Sequence, residues 1–306
     1  MKFGLTSTNS GMGASRAGAR QMAMLAEELG FESLWTVEHV VVPSGYVSEY
    51  PYDESGKMAG GLEVFDLADP LIWLAYVAAV TDRIKLATGV LILPQRNPVI
   101  TAKAVATLDV LSGGRVMLGV GVGWLEEEFN ALGVPFHDRG SRLDDSIEAM
   151  RTLWANEKAT VHNDHVSFEN CISRPAPVNG TVPIVIGGQT PPAIRRAGRL
   201  GDGFFPVGNN VDEVGPAIEL MRRSAEDAGR DPISIEITAG AWVPDVDELF
   251  RRVDAFAQLG VARVVIAPRR EEKLRVLAGQ LNDRFGMGGD VSRRAGSQAA
   301  RPCPRD

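Results

Sequence analysis

"EELGFESLWT", residues 27–36, carries a charged, helix-forming segment through Leu29-Gly30 into a run with the character of a buried strand. Glycine is a favoured residue just past the last helical turn. The same junction returns as "GRLGDGFFPV" (198–207) and "AQLGVARVVIA" (257–267), so one αβ unit is used at least three times. Outward from these junctions, the apolar runs KFGLT (2–6), SLWTV (33–37), IKLATGVLIL (84–93), RVMLGVGV (115–122), PIVIGG (183–188), GFFPV (203–207), ISIEIT (233–238) and ARVVIA (262–267) alternate with helical patterns. They are too continuous for a sheet with one wet face. The helices bury one side only: Met22, Leu25, Ala26 and Leu29 follow a Ser15 cap at spacings of three and four, and Leu249, Val253 and Phe256 do the same later. Eight strands, each followed by a helix, within roughly 250–300 residues outline an α/β fold of the (β/α)8 TIM barrel class, with a doubly wound sheet as its competitor.

Two stretches exceed the simple repeat. Residues 44–66, "SGYVSEYPYDESGKMAGGLEVFD", follow strand two and are too long for an ordinary βα loop. Their Tyr46, Tyr50, Tyr52 and Phe65 suit a substrate lid or a packed surface excursion. Before strand five, "ATVHNDHVSFENC" (159–171) alternates around Asn163-Asp164 and reads as a hairpin insertion. We expect one barrel domain over residues 1–285 and a disordered tail over 286–306, which is rich in Gly, Ser, Arg and Pro.

Composition narrows the function classes. A net charge of −7 over 306 residues, with no element that collects Lys and Arg, argues against nucleic-acid binding. No run reaches about eighteen apolar residues and no apolar leader opens the chain, which points to a cytoplasmic protein without membrane contact. Cys171 and Cys303 are too few and too far apart for a disulfide framework or a thiolate metal site, and His162 and His165 lack evident further ligands, so no metal is expected.

In a barrel, ligands gather at the C-terminal strand ends. Glu38 and His39 stand at such an end, and a carboxylate beside an imidazole can orient it for acid–base work; pairing with loop backbone is the plainer alternative. In "PIVIGGQTPPAIRRAG" (183–198), Gly187 and Gly188 close a strand, Thr190 stands at an N-cap position and Pro191 in the first turn, building a helix N-terminus suited to a phosphate. A tight turn that uses glycine for its dihedrals alone explains the same residues. Gly119, Gly121 and Gly123 lie along a strand rather than opening a helix, so they fit close approach by a flat ligand, or relief of crowding, better than a dinucleotide fingerprint. Trp124 follows them and can line the pocket or cap the core. No GxSxG elbow, zincin pair or Walker sequence is present.

The pieces "GFESLWTVEHVVVP" (30–43), "LATGVLILPQRNPVITAKAVATLDVLSGGRVMLGVGVGW" (86–124), "EFNALGVPFHDRGSRLDDSIEAM" (128–150) and "IGGQTPPAIRRAGRLGDGFFP" (186–206) resemble the luciferase-like monooxygenase superfamily, in its branch of coenzyme F420-dependent oxidoreductases. The resemblance implies a flavin-type ring in the barrel mouth, with Glu38 and His39 touching ring or substrate and His39 as proton donor or acceptor. It implies that Gly187, Gly188 and Gln189 hold the cofactor phosphate, that Trp124 lines the site, and that a non-proline cis peptide at Gly89-Val90 packs behind the ring. Two positions depart from relatives: Trp124 stands where some deazaflavin dehydrogenases place a catalytic glutamate, which argues against their sugar-phosphate chemistry, and Glu38 replaces a common aspartate. The expected activity is hydride transfer between reduced coenzyme F420 and a small organic substrate, in a homodimer. An FMN-dependent monooxygenase, a non-catalytic flavin- or deazaflavin-binding protein and an unrelated barrel enzyme are the alternatives.

Overall fold

A computed structural model describes residues 1–287; of the tail expected over 286–306, Gly286 caps the last helix and Met287 is buried, and the remainder lies outside the described residues. Eight parallel strands close a barrel: β1 (Lys2–Leu5), β2 (Ser33–Thr36), β3 (Lys85–Thr88), β5 (Val116–Gly121), β8 (Ile184–Gly187), β9 (Gly203–Phe205), β10 (Glu236–Gly240) and β11 (Arg263–Ile266). Pairing of Lys2 with Arg263 joins the first strand to the last, and pairing of Leu86 with Val116 closes the ring. The helices α1 (Arg16–Glu28), α2 (Pro70–Ala78), α3 (Pro98–Ser112), α4 (Glu126–Ala131), α5 (Arg139–Ala155), α6 (Pro191–Leu200), α7 (Val211–Asp227), α8 (Val246–Gln258) and α9 (Glu271–Phe285) follow the strands. Among the described residues no helix is long and apolar enough to cross a membrane.

The fold follows the sequence pattern closely, with three local differences. The run 84–93 is broken: β3 stops at Thr88, the Gly89–Val90 peptide bond is cis as the resemblance implies, and β4 (Leu91–Ile92) resumes pairing with β5. The seventh barrel strand begins at Glu236, three residues later than its apolar run, because the Asp231 carboxylate accepts from Ile233 N–H and winds Pro232–Ser234 into a 3-10 turn. Thr190 precedes α6 but its hydroxyl makes no capping hydrogen bond. The expected hairpin is present as β6 (Ala159–His162) and β7 (Ser167–Cys171); His165 at its turn sits between Asp145 (2.6 Å) and Asp138 (3.2 Å), docking the insertion on α5.

The barrel interior is a packed layer of Trp35, Ala87, Met117, Val185, Phe205 and Val265. The Trp35 indole donates to Ser33 Oγ at 2.8 Å, so its one polar atom is satisfied inside. Beneath this layer, at the N-terminal strand ends, Arg263 is 2% exposed and forks onto Glu32 at 2.7 and 2.8 Å, with Glu236 at 2.7 Å. Paired in this way, the buried charge is tolerated, and the lower end is closed.

At the upper end β3 and β5 approach so closely that a Cβ on Gly119 would lie 1.8 Å from the Thr88 carbonyl oxygen. Gly119→Ala is therefore expected to cost ~3 kcal/mol or more, because backbone rather than a side-chain tip must move. Gly279, within α9 and with nothing in reach of a Cβ, is the control: Gly279→Ala should stabilise by roughly 0.5–1 kcal/mol. Denaturant midpoints for the two variants, moving in opposite directions, check both statements.

Candidate active site

Four βα connections build the mouth. After β2 the extended chain sends neighbouring side chains to opposite sides, and this separates Glu38 from His39. Glu38 turns inward: its carboxylate accepts from Ile92 N–H and from both Nε (2.9 Å) and Nη2 of Arg96, which in turn reaches Asp69 at 2.9 Å. Burial pushes the Glu38 carboxyl up, and these donors offset only part of that rise. The expectation that Glu38 orients its neighbour is thus corrected. Its side chain is 1% exposed and committed to Arg96, so it braces the turn at β4 from below.

The carboxylate that meets His39 is Glu128, on α4. Glu128 is fully buried; Oε2 lies 3.0 Å from His39 Nδ1, while Oε1 accepts from Val40 N–H at 2.6 Å and Val41 N–H at 3.2 Å. Burial works against its ionisation, and the His39 and Val40 contacts more than compensate, holding it below the usual carboxylate range. In sequence, Glu128 is one of three successive glutamates after the fourth strand run, and the pattern alone cannot say which of them turns inward.

Trp124 lines the site. Its ring meets His39 edge-on at 5.8 Å and is flanked by Tyr46 at 5.5 Å and Tyr50 at 5.1 Å, with Tyr52 beyond at 5.3 Å from Tyr50. The long loop is therefore folded onto the mouth as an aromatic wall, which favours the lid over the surface excursion. Glu127 ties it there: Oε1 accepts from Val47 N–H at 2.7 Å and Ser48 N–H at 3.1 Å. Arg139 supports Trp124 from behind by donating to the Gly123 carbonyl at 3.2 Å.

Val90, after β3 and between the ends of β5 and β8, forms a ledge. Its methyl groups fill the places where Cβ atoms on Gly121 and Gly187 would stand, at 2.7 and 2.5 Å. Gly121 and Gly187 therefore make room for Val90, and the phosphate role expected of Gly187 has this physical competitor. Gly188 has φ +132°, a region that L side chains rarely adopt. Gln189 donates from Nε2 to the Glu213 carbonyl at 2.9 Å, leaving Oε1 buried without a partner. Thr190 leaves the first amides of α6 uncapped by its side chain. Two further residues were not singled out from sequence. Trp242 folds over Gly240 and is held by Asn209, and the fully buried Asn9 locks Val37 through both its amide atoms (2.8 and 2.9 Å). Among the described residues no group of three or more His, Cys, Asp or Glu could hold a metal ion.

A family model for luciferase-like monooxygenases matches residues 1–301. An uncharacterized protein of Mycobacterium tuberculosis is 34% identical over 266 residues, 87% of this chain and 91% of that one. The 5,10-methylenetetrahydromethanopterin reductase of Methanolobus tindarius is 30% identical over 243 residues, 79% of this chain and 66% of that one. Among solved structures, an F420-dependent secondary alcohol dehydrogenase in complex with an F420-acetone adduct shares the fold at a TM-score of 0.75 and 19% identity, covering 94% of this chain and 99% of that one.

The lid tether carries a pH signature. Although burial opposes it, hydrogen bonds from Ser48 and the Val47 N–H hold the Glu127 carboxyl at about 2. Folding thus lowers this group from its usual value of about 4.3, so its contribution is complete above that value and lost as pH falls toward 2. Glu127→Ala at neutral pH should speed hydrogen exchange at the Val47 and Ser48 amides and leave the barrel strands protected. Unchanged protection at both amides would refute the tether.

Proposed function

The chain belongs to the luciferase-like monooxygenase family, and on that premise we propose that it is an oxidoreductase moving a hydride between coenzyme F420 and a small organic substrate. The observation that carries this reading is the presence of two features at the C-terminal ends of neighbouring strands: an apolar ledge at Val90, and an imidazole, His39, set in an aromatic wall and backed by a buried carboxylate. Ledge and wall are the apolar surfaces that a flat ring would meet. The reductase relative from Methanolobus tindarius favours hydride transfer over oxygen chemistry.

The residues present fit such a cofactor. Val90, with Gly89 before it, supports one face of the ring, and Trp124 lines the edge of the site. Gly188 and Gln189, with the α6 amides that Thr190 does not cap, hold the phosphate; the buried, unpartnered Gln189 Oε1 marks a polar site with unused capacity. Gly187 serves the same cradle indirectly, by admitting Val90. When bound, the deazaflavin supplies or accepts the hydride, and the protein orients it. His39 gives or takes the accompanying proton. Trp124, Tyr46 and Tyr50 keep water from the reacting face, while Glu38, with Arg96, holds the β4 turn through Ile92 N–H.

Paired titrations with coenzyme F420 and FMN, followed by cofactor fluorescence, test the assignment. Binding of the deazaflavin at least ~100-fold tighter than FMN is expected; preference for FMN would turn the reading to an oxygen-dependent monooxygenase. His39→Ala should lower turnover by about 10²–10⁴-fold, the usual worth of a general acid, with cofactor affinity retained. Lost affinity with intact turnover would contradict the proton role.

A further inference from the structure

We propose that Glu128 is a positioning residue that sets the tautomer of His39, keeping the proton on Nδ1 so that Nε2 is the atom that exchanges a proton with the substrate. The part concerning Nε2 rests on the reading of His39 above; the tautomer itself does not.

Donors and acceptors around the carboxylate fix the tautomer. An ionised carboxylate only accepts. The Val40 and Val41 backbone N–H groups only donate, and both point at Oε1. They fix the carboxylate's orientation from a side that cannot reverse, and so Oε2 is left to accept from His39 Nδ1 at 3.0 Å. The other nearby carboxylates are engaged elsewhere, Glu38 by Arg96 and Glu127 by the lid amides. Among the described residues Nε2 has no protein hydrogen-bond partner. The ring's second nitrogen is therefore the one available to a ligand, and a buried charged acceptor on the first makes that choice costly to undo.

Glu128→Gln separates this role from a merely structural one, because the two side chains have nearly the same shape. With its carbonyl oxygen still accepting from Val40 and Val41, the glutamine turns its NH2 toward Nδ1 and forces that nitrogen to accept. The opposite orientation would bury NH2 against two N–H donors. Imidazole ¹⁵N NMR of the full chain without cofactor, at a pH where the rings are neutral, reads the result directly. His39 is distinguished from the other three of the four histidines by a His39→Gln sample. We expect the Nδ1–H form in the wild type and the Nε2–H form in Glu128→Gln, with turnover lowered at least ~100-fold and cofactor affinity within two- to threefold of wild type. An Nε2–H tautomer in the wild type, which needs no variant to fold, overturns the proposal, as does an unchanged Nδ1–H form in folded Glu128→Gln. An inverted tautomer with undiminished turnover leaves Glu128 setting the tautomer but removes His39 from proton transfer.

Discussion

The contact on which the site depends is steric. The third and fourth barrel strands converge at the mouth until the Thr88 carbonyl and the Val90 side chain occupy the space beside Gly119, Gly121 and Gly187. No side chain larger than hydrogen fits at those three positions without displacing the Thr88 carbonyl, at Gly119, or the Val90 ledge, at Gly121 and Gly187. The Thr88 hydroxyl also donates to the Gly119 carbonyl at 2.6 Å, so the crowded pair is bonded as well as fitted. From this follow the break between β3 and β4, the exposure of Val90 to the mouth, and the placement of Ile92 N–H where Glu38 can accept from it.

A second constraint acts through α4, a helix of only six residues, two of whose three glutamates serve different neighbours. Glu127 grips the lid through two backbone amides, and Glu128 grips the chain after β2 through two more while meeting His39. Trp124, two residues before the helix, touches both the lid and the imidazole. Lid and histidine are therefore attached to one rigid element. Charged groups serve here as fixed acceptors for backbone N–H donors, an arrangement in which burial strengthens the contact once every donor is matched.

Much of this is legible in the sequence because it depends on local periodicity. The Leu-Gly junctions, the one-sided helices and the eight apolar runs specify a barrel, since each run must be buried on both faces. The hairpin and the long loop are readable as lengths the βα repeat cannot absorb. Directions of side chains are not. Glu38 and His39 are adjacent in sequence, and adjacency suggests a pair, but extended backbone sends them apart; the true partner of His39 lies 89 positions along the chain on a different element. Likewise Gly121 and Gly187 look like ligand-admitting glycines, and only the packing shows that Val90 occupies their space. The late start of β10 arises from a competing local bond, the Asp231 turn, which apolar periodicity does not register.

A crystal structure of the chain with coenzyme F420 would show where the ring lies. The expected result is a deazaflavin ring lying against the Val90 methyl groups, with His39 Nε2 on the reacting side and Nδ1 still bonded to Glu128. A ring bound away from Val90, or a His39 turned out of the mouth with Glu128 paired elsewhere, would contradict the account.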